Sequence, residues 1–237
     1  MRLQITPSVI PNLFTAMNMF CGFLSIITAS NGNYNYAAWL IIIAAVFDAL
    51  DGLVARLTKS SSELGVELDS LSDIVSFGCA PSFLLYVTYF YQFDNFGVIL
   101  SSLPLIAGGF RLARFNVQLV GFEKSFFLGL PIPTAALTIA SFVLAFYNNG
   151  YPKPYSDMII PMVFIVSYLM ISNIRYESFP RFSLEGIKEK PFHFVFLLIA
   201  MLLVVFTYTK GLFYTFVLLI VIGIFRHIYY LIKARTA

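Results

Sequence analysis

The sequence predicts an all-α integral membrane protein, a polytopic bundle of about eight transmembrane helices in one domain covering 1–237. Three observations predict it. Hydrophobic residues make up 59% of the chain and charged residues only 11%, with a mean hydropathy of +0.84. No soluble domain of this length needs so apolar a composition. Apolar stretches recur along the chain at about the 20 residues that cross ~30 Å of hydrocarbon as a helix. Once those stretches are laid across a membrane, the basic residues fall almost entirely on one side.

The apolar runs cover roughly 9–30, 36–58, 66–91, 96–118, 131–148, 156–173, 192–209 and 211–233. The first starts near Val9, has no small-residue cleavage site, and is expected to stay attached as a span. Turn-forming residues separate several runs: Asn31-Gly32-Asn33, Asp94-Asn95 and Asn148-Asn149-Gly150. The last two runs are divided only near Lys210-Gly211 and read as a hairpin. An even number of spans places both termini on one side. Thirteen of the fifteen Lys and Arg then share that side, and only Lys153 and Lys210 fall outside it. By the positive-inside rule this side is the cytoplasm.

Two cysteines, Cys21 and Cys79, both inside apolar runs, exclude a disulfide framework or a cysteine-rich metal site. His193 and His227 lie far along the chain from any acid cluster and read as interfacial. The net charge of +3 says little by itself, and no nucleic-acid partner is expected.

The chemistry concentrates between Asp48 and Asp73. Asp48 and Asp51 are spaced i, i+3 and share one helix face; Asp69 and Asp73 are spaced i, i+4 and share a face of the next helix. A carboxylate deep in a membrane costs about 2.5–3.5 kcal/mol even on the lenient insertion scale. Four close together also repel one another unless a cation sits between them. The simplest resolution is a divalent metal site where two helices face each other near the water boundary. Glu63 and Glu67 flank this pattern and read as solvated charges. Small Gly52 and Ala55 beside Asp51 fit either close helix packing or the approach of a flat ligand. Arg56 suits either an interfacial anchor or a diphosphate partner. Polar Asn12, Thr15 and Asn18 on the first span either bond backbone carbonyls or contact a ligand.

Written as Asp48-x2-Asp51-Gly52-x2-Ala55-Arg56-x8-Gly65-x3-Asp69-x3-Asp73, the stretch resembles the signature of the CDP-alcohol phosphotransferase family at all eight fixed positions. The resemblance implies a six-helix catalytic core, about 9–173 here, followed by a C-terminal hairpin at about 192–233. It implies transfer of a phosphate-linked group from a CDP-activated donor to an alcohol. It also implies one or two Mg²⁺ or Mn²⁺ ions on Asp48, Asp51, Asp69 and Asp73, with Asp73 as the general base. Asn12, Thr15, Asn18, Asp51, Gly52, Ala55, Arg56 and Gly65 would then hold the CDP diphosphate, and a homodimer is expected.

Two further groups of residues resemble the phosphatidylserine synthase branch of that family. One is Arg111 to Asn116 with Phe127-Leu128-Gly129-Leu130-Pro131-Ile132-Pro133. The other is Asn173-Ile174-Arg175-Tyr176 with Ser178-Phe179-Pro180. They imply CDP-diacylglycerol as donor, L-serine as acceptor and membrane lipids as surroundings. Arg111, Arg114 and Asn116 are the candidate serine ligands, because a pair of arginines suits a carboxylate. Alternatives are a sibling enzyme taking glycerol 3-phosphate or inositol phosphate, and a cation or proton transporter, since intramembrane acids also mark ion pathways.

Overall fold

The computed structural model describes residues 9–58, 60, 62–119, 126–177 and 207–236. Among these, helix α1 (Val9–Ser30) and helix α2 (Tyr34–Thr58) form an antiparallel hairpin. Gly32, at φ +81°, turns the chain between them, and the amide groups of Asn31, Gly32 and Asn33 satisfy the last carbonyls of α1. The two helices approach closely because their buried faces are rich in small residues: Ser25 and Ala29 on α1, Ala37, Ala38 and Ala44 on α2. Ser25 Oγ donates to the Ala37 carbonyl across 2.8 Å, so the hydroxyl strengthens the contact it permits.

Helix α3 (Glu63–Asp73) starts at Ser62, whose hydroxyl caps it by accepting from the Gly65 amide at 3.0 Å. The helix runs without a break through a π-helical segment, Ile74–Cys79, into α4 (Ala80–Thr88). A single 3₁₀ turn at Phe90–Phe93 leads into α5 (Asp94–Leu119). Strand β1 (Phe126–Leu128) precedes α6 (Ile132–Phe146), and α7 (Tyr155–Ile171) precedes strand β2 (Arg175–Glu177). The last helix is α8 (Thr209–Thr236).

Among the described residues, five helical stretches are long and apolar enough to span a membrane: Val9–Ser30, Tyr34–Thr58, Glu63–Thr88, Phe90–Val117 and Thr209–Tyr229. The other two, α6 and α7, are shorter but equally apolar. Helix α6 is apolar on every side because it is enclosed on every side, with Ala136, Ile139, Ala140, Phe142 and Val143 all fully buried. Outward faces carry large apolar groups such as Phe20, Phe23 and Trp39, as lipid contact requires. The expected seventh run, 192–209, lies almost wholly outside the described residues, as do His193 and Ser178 to Pro180. The other seven runs each coincide with a helical stretch to within a few residues.

The bundle has two unlike ends. At one, Phe142, Phe146, Tyr151, Tyr155 and Phe213 stack into an aromatic plug, with the Tyr151 hydroxyl 3.2 Å from Thr88 Oγ1. The other end gathers the start of α1, the end of α2, the start of α3 and the end of α5, and it carries the acids. One feature there adds to the all-α expectation. The short strands β1 and β2 pair antiparallel, with Phe127 opposite Tyr176. These are the two segments that carry the branch resemblance, about 50 residues apart in sequence and directly paired in space.

Candidate active site

Helical periodicity turns the acids of α2 and α3 toward each other. One carboxylate oxygen from each of Asp48, Asp51 and Asp69 lies within 4.8 Å of the others. Asp51 is buried, and Asp48 and Asp69 are half-buried. Asp73, one turn further along, is 7% exposed and lies against Asp48 and Asp69. Buried Oδ1 atoms of Asp69 and Asp73 have no hydrogen-bond partner in the described protein. Buried carboxylate oxygens without donors are costly. A group of hard oxygen donors at this spacing fits a hard divalent cation such as Mg²⁺ or Mn²⁺, which answers that cost.

Beside the acids opens a cleft of about 470 Å³, counting the space continuous with solvent. It is lined by Asn12 and Thr15 of α1, Asp51, Gly52 and Ala55 of α2, and Gly65 and Asp69 of α3. Thr15 Oγ1 donates to Asp51 Oδ2 at 2.9 Å, and this fixes one face of the carboxylate. Gly52 leaves open space: a Cβ there would meet no protein atom within 4 Å. A Cβ on Gly65 would come within 3.3 Å of Asn12 Oδ1, so that glycine admits the asparagine. Seven of the expected nucleotide and metal residues therefore meet around one opening. Ser60 and Ser62 line it too. Ser62 is placed there by its cap on α3.

Other expected residues sit elsewhere. Asn18 is one turn deeper on α1 than Thr15 and fully buried, and it does not line the cleft. Arg56 is exposed in the last turn of α2, outside the lining residues. On α5, Arg111 is 6% exposed and within electrostatic reach of Asp73. Asn116 Nδ2 donates to Ser70 Oγ at 3.0 Å, tying the end of α5 to the turn between Asp69 and Asp73.

The expected pair of arginines is not a pair in space. Arg114 turns to the end of α7, where Nη1 donates to the Ile171 carbonyl at 2.8 Å. Its Nη2 donates to the carbonyls of Leu128, Met170 and Ser172 at 2.9, 3.3 and 3.2 Å. The last carbonyls of a helix lack internal partners and carry the negative end of its dipole, so a guanidinium completes them. Gly129, at φ +82°, lets the chain pass this point, since a Cβ would run into the Met170 carbonyl oxygen. Its amide bonds the Ile174 carbonyl at 2.9 Å. Arg114 thus holds the β1–β2 unit onto α5 and α7, and of the two arginines it is Arg111 that lies within electrostatic reach of Asp73. The i, i+3 spacing could not separate these fates, because three of the four carbonyl partners of Arg114 lie nearly 60 residues away.

The profile of a family described as CDP-alcohol phosphatidyltransferase matches residues 8–170, the part of the chain that builds this site. A CDP-diacylglycerol–serine O-phosphatidyltransferase of Helicobacter pylori (strain J99) is 36% identical over 224 residues, 94% of this chain and 92% of its own length. That likeness takes in far more than the acid-bearing stretch. An archaetidylserine synthase of Methanothermobacter thermautotrophicus is 42% identical over 170 residues, 70% of this chain and 69% of its own. A CDP-diacylglycerol–serine O-phosphatidyltransferase of Bacillus subtilis is 31% identical over 185 residues, 76% of this chain and 96% of its own.

Proposed function

The chain belongs to the CDP-alcohol phosphatidyltransferase family, and we propose that it transfers the phosphatidyl group of CDP-diacylglycerol to the hydroxyl of L-serine. The products are phosphatidylserine and CMP. The observation that carries this reading is the convergence of Asp48, Asp51 and Asp69 at the edge of an open cleft, with Asp73 and Arg111 adjoining. The names of the relatives supply the substrate class.

Asp48, Asp51 and Asp69, with Asp73 beside them, would hold one or two divalent ions. When bound, such ions neutralise the diphosphate and the charge that grows on departing CMP. Asn12, Thr15, Gly52, Ala55 and Gly65 shape the nucleotide cleft, and Arg56, exposed in the last turn of α2 next to Ala55, would offer its charge to the diphosphate. The acyl chains remain in the bilayer while the head group enters at the end of the bundle. By the bias of basic residues, that end faces the cytoplasm.

Asp73 accepts the serine hydroxyl proton as the oxygen attacks the lipid-linked phosphorus. The new P–O bond forms as the bond to the CMP oxygen breaks. Burial of Asp73 keeps water from competing for that position. Arg111 pairs with the serine carboxylate, and Asn116, held by Ser70, adds an amide to the same side. Arg114 serves the acceptor side indirectly by holding the β1–β2 unit.

The test is incorporation of labelled serine into lipid by the purified protein with CDP-diacylglycerol and Mn²⁺ or Mg²⁺. Incorporation that EDTA abolishes is the expected result. Folded protein that incorporates no serine with either metal contradicts it.

A further inference from the structure

We propose that Ser72, Ser76 and Gly22 are positioning residues that seat the Asp73 turn against α1 and so fix the spacing between the two aspartate pairs. The proposal rests on the reading of those aspartates as the metal-holding and reacting group.

The helix that carries Asp69 and Asp73 changes form at the residue after Asp73. From Ile74 to Cys79 it is π-helical, and the Ala80 amide reaches back five residues to the Val75 carbonyl. Such wider turns sit frequently at functional sites, because one added residue re-aims everything on one side of it. Here the upstream part aims carboxylates at α2, while the downstream part buries Phe77, Ala80 and Leu84 in the core. A turn that re-aims a helix needs something to hold its setting.

Helix α1 supplies it. Ser72 Oγ donates to the Thr15 carbonyl at 3.0 Å, and Ser76 Oγ donates to the Asn18 carbonyl at 2.8 Å. Both serines are fully buried. The donors are one helical turn apart, as are the acceptors, so the two helices engage like teeth on successive turns. One turn further along α1, Gly22 has no side chain, and a Cβ there would run into the side chain and backbone of Ser76. Close approach is therefore built in from both sides.

The same α1 turn holds the other acid pair, since Thr15 bonds Asp51 through its hydroxyl and Ser72 through its carbonyl. A continuous path of contacts thus runs from Asp51 through Thr15 and Ser72 to Asp73, its neighbour in sequence. Ser72, Ser76 and Gly22 themselves lie outside the lining of the cleft. They act on the chemistry only through where they set the acids.

The experiment compares Ser72→Ala, Ser76→Ala and Gly22→Ala with the full-length wild type in detergent, and adds Asp73→Asn. Mn²⁺ alone is titrated first, and the free ion is followed by its electron paramagnetic resonance signal. Steady-state CMP release and thermal unfolding follow. A displacement near 1 Å costs about 100-fold in rate. Accordingly, kcat should fall about 10- to 100-fold, most in Gly22→Ala, with the KM for CDP-diacylglycerol within about twofold. The Mn²⁺ half-saturation point should rise by about fivefold or more, a change that mere loosening of the bundle does not produce. Should Gly22→Ala fail to fold, the two serine variants decide, since each removes a single oxygen.

Folded variants with Mn²⁺ binding and kcat both within about twofold of wild type overturn the proposal and leave the contacts as simple packing. Shifted Mn²⁺ binding in the variants, with no CMP release even from the wild type, supports the positioning role and removes the proposed reaction instead. Undiminished turnover in Asp73→Asn, with unshifted Mn²⁺ binding in the serine variants, overturns the positioning role and ends the assignment of Asp73 as the base.

Discussion

Thr15 and Asp51 are joined by a 2.9 Å hydrogen bond that runs from a hydroxyl on the first helix to a carboxylate on the second. The threonine hydroxyl also lies 3.2 Å from the Pro11 carbonyl, the ordinary partner of a threonine inside a helix. The shorter contact is to the charged group. Thr15→Val keeps the shape and removes the donor. A hydrogen bond to a charged group contributes about 1.5–3 kcal/mol, so kcat/KM should fall roughly 10- to 100-fold. Steady-state CMP release measures this, and an unchanged value would remove Thr15 from the site.

The aspartates should divide by role. Asp48→Asn, Asp51→Asn and Asp69→Asn are each expected to abolish turnover and weaken metal dependence. Asp73→Asn is expected to lower kcat by about 100- to 10,000-fold, as loss of a general base does, while most donor binding remains. Binding of CDP-diacylglycerol, measured alongside turnover, separates the two classes. An active Asp73→Asn enzyme would end the assignment of the base.

Arg111 and Arg114 should behave differently despite their shared helix face. Arg111→Ala is expected to raise the KM for serine more than the KM for CDP-diacylglycerol. Arg114→Ala removes the donor to four carbonyls, so it should lower thermal stability by a margin of about 1.5–3 kcal/mol or more. Substrate kinetics and melting curves on both variants decide. A selective serine defect in Arg114→Ala, with stability intact, would return that residue to the acceptor site.

Gly129→Ala tests the β1–β2 unit from its other side. The position combines a positive φ with close approach to the Met170 carbonyl. Strain of that kind costs about 1–3 kcal/mol before the clash is counted. The variant should melt lower than wild type, and an unchanged melting temperature would mean that the loop has an alternative path.

Much of this was legible in the residues, and the reasons are local. Apolar runs and turn residues set the helices because a span must satisfy its backbone internally. Spacings of three and four residues placed Asp48 with Asp51 and Asp69 with Asp73, and the structure brings those pairs together. What stayed hidden depended on distant partners. The hydroxyls of Ser72 and Ser76 bond carbonyls of a helix more than 50 residues earlier, and nothing in a short serine-bearing stretch announces that. Pairing of Phe126–Leu128 with Arg175–Glu177 involves strands of three residues, too short for any alternation to show. Arg114 looked like a ligand because sequence reveals a cation but not the carbonyls around it.

The acceptor specificity of the purified protein tests the central claim most directly. CMP release from CDP-diacylglycerol is followed with Mn²⁺ or Mg²⁺, while serine, glycerol 3-phosphate and inositol phosphate are offered separately. Release with serine alone, lost on addition of EDTA, is the predicted result. Release with a different alcohol would keep the aspartate chemistry and discard the acceptor roles of Arg111 and Asn116. No release with any acceptor, from protein shown to be folded, would contradict the account and favour an ion-transporting role for the buried acids.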